Sequence, residues 1–171
     1  VNLVIRPFAE HDAAAFASAV NHSLDTLIPW MAWAHEDYRE EEARQWFRYT
    51  HLQRQQGTAD ELGLFAEDGR LLGGAGIRYP AGAESPAALG YWVRSSEQRK
   101  GIAHTAVRWL VERAFSQPDI DVIEILAAET NLASRAVAVS AGAELVAVRY
   151  GLIVLNSGPV NTAIYHLRRP H

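Results

Sequence analysis

The run Leu89-Gly90-Tyr91-Trp92-Val93-Arg94-Ser95-Ser96-Glu97-Gln98-Arg99-Lys100-Gly101-Ile102-Ala103 decides how this chain is read. It starts as an apolar strand, crosses a polar stretch and opens a helix with Gln-x-x-Gly-x-Ala. A helix start carries unpaired backbone N–H groups and a partial positive charge. Gly101 and Ala103 keep the approach to those amides clear, while Arg99 and Lys100 add charge. Such a place suits a bulky anion such as a pyrophosphate. The spacing is neither Gly-x-Gly-x-x-Gly nor Gly-x-x-x-x-Gly-Lys-Ser, and no acidic residue is placed for a ribose. Taken alone, the same residues also describe an ordinary strand-to-helix turn.

Upstream of this run, a short strand over 1–6 is stopped by Pro7. Asp12 caps a helix that carries Ala13, Phe16, Ala17 and Val20 on one side. The stretch 21–38 reads as irregular around Pro29. A second helix over 39–56 has Glu40, Glu41 and Glu42 at its start, arginines later and Gly57 as its stop. Strands follow over 62–66, 71–79 and 87–94, the first two joined by the turn Glu67-Asp68-Gly69-Arg70. Downstream, a helix over 101–116 shows Ile102, Ala106, Trp109, Leu110 and Ala114 at helical spacing. A strand over 121–127, a helix over 131–141 ending at Gly142, and strands over 145–155 and 160–167 complete the chain. This order predicts an α/β (α+β) fold with a mostly antiparallel sheet. The strand–helix–strand crossing in the middle supplies one parallel pair.

The 171 residues fit one domain, 1–171, and 49% hydrophobic content is ordinary for a globular chain. There is no cysteine, which rules out disulfides and a cysteinyl intermediate. The net charge of -4 speaks against broad nucleic-acid binding. No apolar run reaches bilayer length and the amino end lacks a signal-peptide layout, so a cytoplasmic protein without membrane contact is expected. The seven histidines show no His-Glu-x-x-His or similar spacing, so no metal is expected.

A second patch, Glu129-Thr130-Asn131-Leu132-Ala133-Ser134-Arg135-Ala136-Val137-Ala138-Val139-Ser140-Ala141-Gly142-Ala143, forms a helix about thirty residues after the first motif. By itself it reads as an amphipathic helix capped by Asn131 and stopped by Gly142. The two patches in this order resemble the GNAT superfamily of N-acyltransferases, and within it the RimJ/RimL branch of protein N-terminal acetyltransferases. The resemblance covers nearly the whole chain. It includes Ile5-Arg6-Pro7 before a helix, the proline–tryptophan segment Leu27-Ile28-Pro29-Trp30-Met31-Ala32-Trp33-Ala34, the small-residue strand at Leu72-Gly73-Gly74, and Gly90-Tyr91-Trp92-Val93.

The resemblance implies a seven-stranded central sheet flanked by four helices, with strands four and five splayed in a V. It implies acetyl-CoA as co-substrate and a primary amine as acceptor, either a protein N-terminal α-amine or a small-molecule amine. The pantetheine arm would run along the backbone of Trp92, Val93 and Arg94, with the Val93 N–H polarising the thioester carbonyl. Gln98, Arg99, Lys100, Gly101, Ile102 and Ala103 would hold the pyrophosphate, and Asn131 and Ser134 would reach the arm from the other side. Many relatives carry an acidic tyrosine four residues after the position of Ser134; here that residue is Ala138, so Ser134 is the expected acid. Asp60 falls at the strand opening where a relative's glutamate acts as base, with Glu61 beside it. Glu84 and His104 are weaker candidates. Trp30, Trp33 and Tyr38 would wall the acceptor groove, or simply pack on the sheet. A homodimer is compatible with tryptophans exposed near the entrance.

Two other readings keep the same fold. One uses a longer acyl-CoA or an aminoacyl-tRNA, with Arg99, Lys100, Arg108 and Arg113 as a local basic patch. The other is a CoA-binding regulatory domain that has lost its chemistry, supported by Ala138.

Overall fold

The computed structural model describes residues 2–82 and 85–170. Seven strands, β1 (Val4–Arg6), β2 (Ala59–Phe65), β3 (Leu71–Arg78), β4 (Ala87–Val93), β5 (Val122–Ala128), β6 (Glu144–Leu155) and β7 (Gly158–Arg168), form one sheet in the order β1-β2-β3-β4-β5-β7-β6. Every neighbouring pair is antiparallel except β4 and β5. The helices are α1 (Ala13–Asn21), α2 (Leu24–Leu27), α3 (Glu40–Gln56), α4 (Ile102–Phe115) and α5 (Leu132–Ser140). The four longer ones are those expected. The single turn α2 sits inside the stretch read as irregular, too short to leave a periodic signal.

Strand alternation sorts the core into two halves. Leu62, Leu64, Ala75, Ile77, Leu89 and Val93 meet Ile102, Ala106, Val107 and Leu110 of α4, with Ala138 of α5 in the same cluster. Phe65 and Leu71 turn to the opposite face. There they join Phe8 from the loop after β1, Phe16 and Val20 of α1, Phe47 of α3 and Trp92. Phe8 stacks on Phe47 at 4.7 Å between centroids, and Phe16 meets Trp92 edge-on at 5.6 Å. This second cluster covers only part of its face, so a bare area of sheet remains beside it.

β2 begins at Ala59 rather than 62. Asp and Glu are poor strand formers, but pairing with β3 overrides that preference: Asp60 lies opposite Ile77, and Glu61 opposite Gly76. Asp60 and Glu61 therefore stand inside a strand and point to opposite faces. They are not two solvated carboxylates ahead of it.

The parallel pairing of β4 with β5 lasts only from Ala87–Ile123 to Leu89–Ile125. Beyond it β4 stays on β3 as far as Val93, and β5 stays on β7 as far as Ala128. The two strands part between these attachments and open the expected V. Among the described residues, no helix is long and apolar enough to cross a membrane.

Candidate active site

The V exposes backbone groups, and the β3–β4 register says which. The Arg94 N–H donates to Leu72 O at 2.8 Å, so these two form a hydrogen-bonded antiparallel pair. By alternation Trp92–Gly74 and Gly90–Gly76 are also such pairs. The backbone groups of Trp92 and Arg94 are thus committed to β3. Those of Tyr91 and Val93 face the gap. Gln98 Nε2 donates to Val93 O at 2.7 Å, so of the two Val93 groups it is the N–H that is left to face the opening. Of the three residues expected to carry the arm through their backbone, Val93 alone presents its groups to the opening. Arg94 is held further by Nη1 donating to Leu71 O at 3.1 Å.

The polar loop after β4 is built to keep its shape. Glu97, 5% exposed, accepts from Arg70 at 2.7 Å and from Lys100 at 2.6 Å. These two cations hold its carboxyl below the ordinary glutamate range against the opposing cost of burial. Lys100 is therefore a brace of the loop more than a free charge. Arg99 (φ 63°) and Gly101 (φ 77°) both take left-handed backbone, a turn that brings successive N–H groups toward one side. No side chain caps α4, whose first amides at Ile102 and Ala103 follow directly on Gly101. His104 lies just beyond and pairs with Ser140 of α5 at 2.8 Å.

A cavity of about 550 Å³ lies over the bare part of the sheet and runs to the V. Trp30, Trp33 and Tyr38 line it, together with Trp46, which the sequence did not single out. Trp33 is 40% exposed, while Tyr38 is buried and burial pushes its phenol up to about 12. Tyr38 is fixed by reciprocal bonds with Asn21, and Trp33 packs on Trp92 at 5.8 Å. They both wall the cavity and pack on the sheet.

The cavity floor is glycine. Gly74 and Gly90 line it, and a Cβ at Gly76, beneath Glu61, would collide with the Glu61 carboxylate. Glu61 projects into the cavity and is 13% exposed at its side chain. Burial raises its carboxyl above the ordinary value, a shift that Arg78, 3.7 Å away, only partly offsets.

Asp60 does not line the cavity. Its carboxylate accepts from Arg113 Nε of α4 at 2.8 Å and from Arg54 Nε of α3 at 3.2 Å. This corrects the placement expected for the acidic residue: the alternation of β2 gives the cavity Glu61 and gives the helices Asp60. Glu84 lies outside the described residues.

Across the V, Asn131 and Ser134 reach the cavity from the start of α5. Asn131 Oδ1 accepts the Ser134 N–H at 3.3 Å, so it caps the helix. Ser134 Oγ lies 3.1 Å from the Tyr91 hydroxyl. Ala138 is fully buried. Among the described residues, no group of three His, Cys, Asp or Glu side chains is arranged to hold a metal ion.

A parallel pair that opens into a V, a left-handed loop before an uncapped helix, and a carboxylate cavity beside them are the marks of one class of protein. Residues 2–144 match the family described as "Acetyltransferase (GNAT) domain", and the chain belongs to that family of acetyl-CoA-dependent acetyltransferases. Among its relatives is YdaF of Bacillus subtilis (strain 168), named for ribosomal N-acetylation. The two are 30% identical over 142 residues, covering 80% of this chain and 74% of the relative. The fold matches the microcin C7 self-immunity acetyltransferase MccE, in complex with acetyl-CoA and AMP, at TM-score 0.90 and 21% identity, over 98% of this chain and 92% of that one. It also matches RimL, the ribosomal L7/L12 α-N-protein acetyltransferase in complex with coenzyme A, at TM-score 0.87 and 22% identity, over 98% and 94%. The likeness to MccE and RimL is one of fold, while the family rests on the domain match and on YdaF.

Proposed function

We propose that this acetyltransferase acts on a protein N-terminal α-amine that enters the aromatic cavity, with Glu61 as base and Ser134 as hydrogen-bond donor to the leaving sulfur. The observation that carries the reading is one cavity bounded by a partly buried carboxylate on β2, the open edge of β4, and a serine hydroxyl on α5. The names of YdaF and RimL support the choice of a protein terminus over a small amine.

The residues fit a pantetheine thioester. The Val93 N–H faces the V, and the turn at Arg99 and Gly101 leads into the free amides of α4. Acetyl-CoA supplies an activated carbonyl. The chain supplies the rest. The amides of Gly101, Ile102 and Ala103, with Arg99, hold the pyrophosphate. Gln98 and Lys100 keep the loop in that shape. The Val93 N–H stabilises the oxyanion. The amine, largely protonated in water at neutral pH, gives its first proton to solvent and attacks in the neutral form, and Glu61 takes the proton released as the C–N bond forms. A carboxyl raised by burial is a better base than an ordinary one. Ser134 steadies the departing thiolate. Trp30, Trp33 and Tyr38 hold the residue that bears the amine.

The test is mass spectrometry of products after incubation with acetyl-CoA, a library of peptides with free N-termini and a panel of small amines. Acetylation at peptide α-amines is expected. Acetylation of small amines alone overturns the acceptor, and absence of CoA release with every amine overturns the reading.

A further inference from the structure

Tyr91 has a hydroxyl that the scheme above does not use. It sits 3.1 Å from Ser134 Oγ and 3.1 Å from the Ser134 backbone oxygen, and both residues line the cavity. A phenol has one proton to give. If it goes to the backbone oxygen, Ser134 must donate its own proton to the phenol and has none for the cavity. If it goes to Ser134 Oγ, the serine proton is released to point elsewhere. Two arrangements of one hydrogen-bonded pair therefore set whether Ser134 can donate to a ligand.

We infer that Tyr91 is a positioning residue for Ser134: its O–H donates to Ser134 Oγ and turns the serine proton toward the departing sulfur. The geometry leaves the serine few alternatives. Its backbone is pinned by the Asn131 cap, and among the described residues its Oγ has no partner besides Tyr91. Burial raises the Tyr91 phenol, only partly countered by the Ser134 contact, so it stays a protonated donor through the neutral range. The helix itself has no phenol to offer, because Ala138 lies one turn on and is fully buried. The fold brings one instead from β4, 43 residues earlier.

The step balances without any further reagent. The amine forms the C–N bond and gives its proton to Glu61. The C–S bond breaks with its electron pair on sulfur. Ser134 holds that thiolate by a hydrogen bond until solvent protonates it, and Tyr91 keeps its proton throughout. This inference rests on the acetyltransferase reading.

The experiment compares Tyr91→Phe, Ser134→Ala and the double variant in steady-state kinetics with acetyl-CoA and the best acceptor peptide. Tyr91→Phe is expected to lower kcat about tenfold, the scale of one well-placed hydrogen bond, with KM for acetyl-CoA within about twofold. Ser134→Ala should cost about a hundredfold. Adding Tyr91→Phe to Ser134→Ala should cost nothing more, because the phenol acts only through the serine. Unchanged kcat in Tyr91→Phe overturns the inference, and so do losses that multiply in the double variant. A general loss of fold from Tyr91→Phe would appear in both backgrounds as multiplied losses and a lowered Tm. A wild-type protein that releases no CoA overturns the acetyltransferase reading itself. An active wild type with multiplying losses overturns the Tyr91 role alone.

Discussion

Asp60 and Glu61 leave the backbone side by side, yet β2 sends them to opposite faces of the sheet. Asp60 is clamped between Arg54 and Arg113 and ties the ends of α3 and α4 to the strand. Glu61 lies over Gly76 in a glycine-floored cavity, with Arg78 its one cationic partner within 4 Å among the described residues and its carboxyl raised by burial. Equivalent chemistry thus becomes a structural tie on one face and, on the other, the carboxylate we propose as base. What separates them is the number of charged partners and the solvent each face excludes. The same contrast marks the whole sheet. One face is filled by the apolar side of α4, while the other is left bare beside the aromatic cluster.

The sharpest way to break this comparison is Glu61→Gln. It should lower kcat about 10² to 10³-fold at neutral pH, the usual scale for losing a general base. It should not lower Tm. A carboxyl whose folded value is raised favours folding below its unfolded value and loses that contribution as pH rises through the folded value, so the neutral amide removes a cost at pH 7. A variant with normal turnover would end the assignment of Glu61.

Second is the pH profile. With an acceptor amine that stays neutral throughout, the acid limb of kcat/KM should lie above the ordinary glutamate value of 4.5, and Glu61→Gln should abolish it. A limb at the ordinary value would show that the cavity does not perturb the base.

Third, Gly76→Ala should cost about tenfold in kcat, because the new methyl displaces the Glu61 carboxylate from its place. Gly90→Ala, with open space over it, should cost less in the same assay. Equal effects would mean that the floor does not position Glu61.

The smallest catalytic effect belongs to Asp60→Ala. It should lower unfolding free energy by about 2 kcal/mol, reduced from a fully buried pair because Arg113 is 45% exposed. Its kcat should stay within about twofold of wild type. Denaturant melts and the CoA-release assay on one preparation check both halves. A large catalytic loss would restore Asp60 to the site.

Local patterns carried most of the architecture. Periodic apolar residues placed α1, α4 and α5, the charge pattern and Gly57 placed α3, and apolar runs bounded by turn residues placed all seven strands within a few positions. The loop into α4 was legible because Gln98 to Ala103 is a contiguous run with Gly101 at the helix start. The short α2 was hidden by its length. The start of β2 was hidden because its first residues are unfavourable in strands and gain their place only from β3.

The sequence by itself indicated that a strand leads through a short polar loop into a helix opening at Gly101, since that needs only neighbouring residues and their backbone preferences. It also settled that α5 is capped by Asn131. Tertiary structure decided which carboxylate reaches the cavity and that Tyr91 meets Ser134. The first turns on strand register, where a shift of one residue exchanges the faces. The second joins side chains 43 positions apart, which no local pattern encodes.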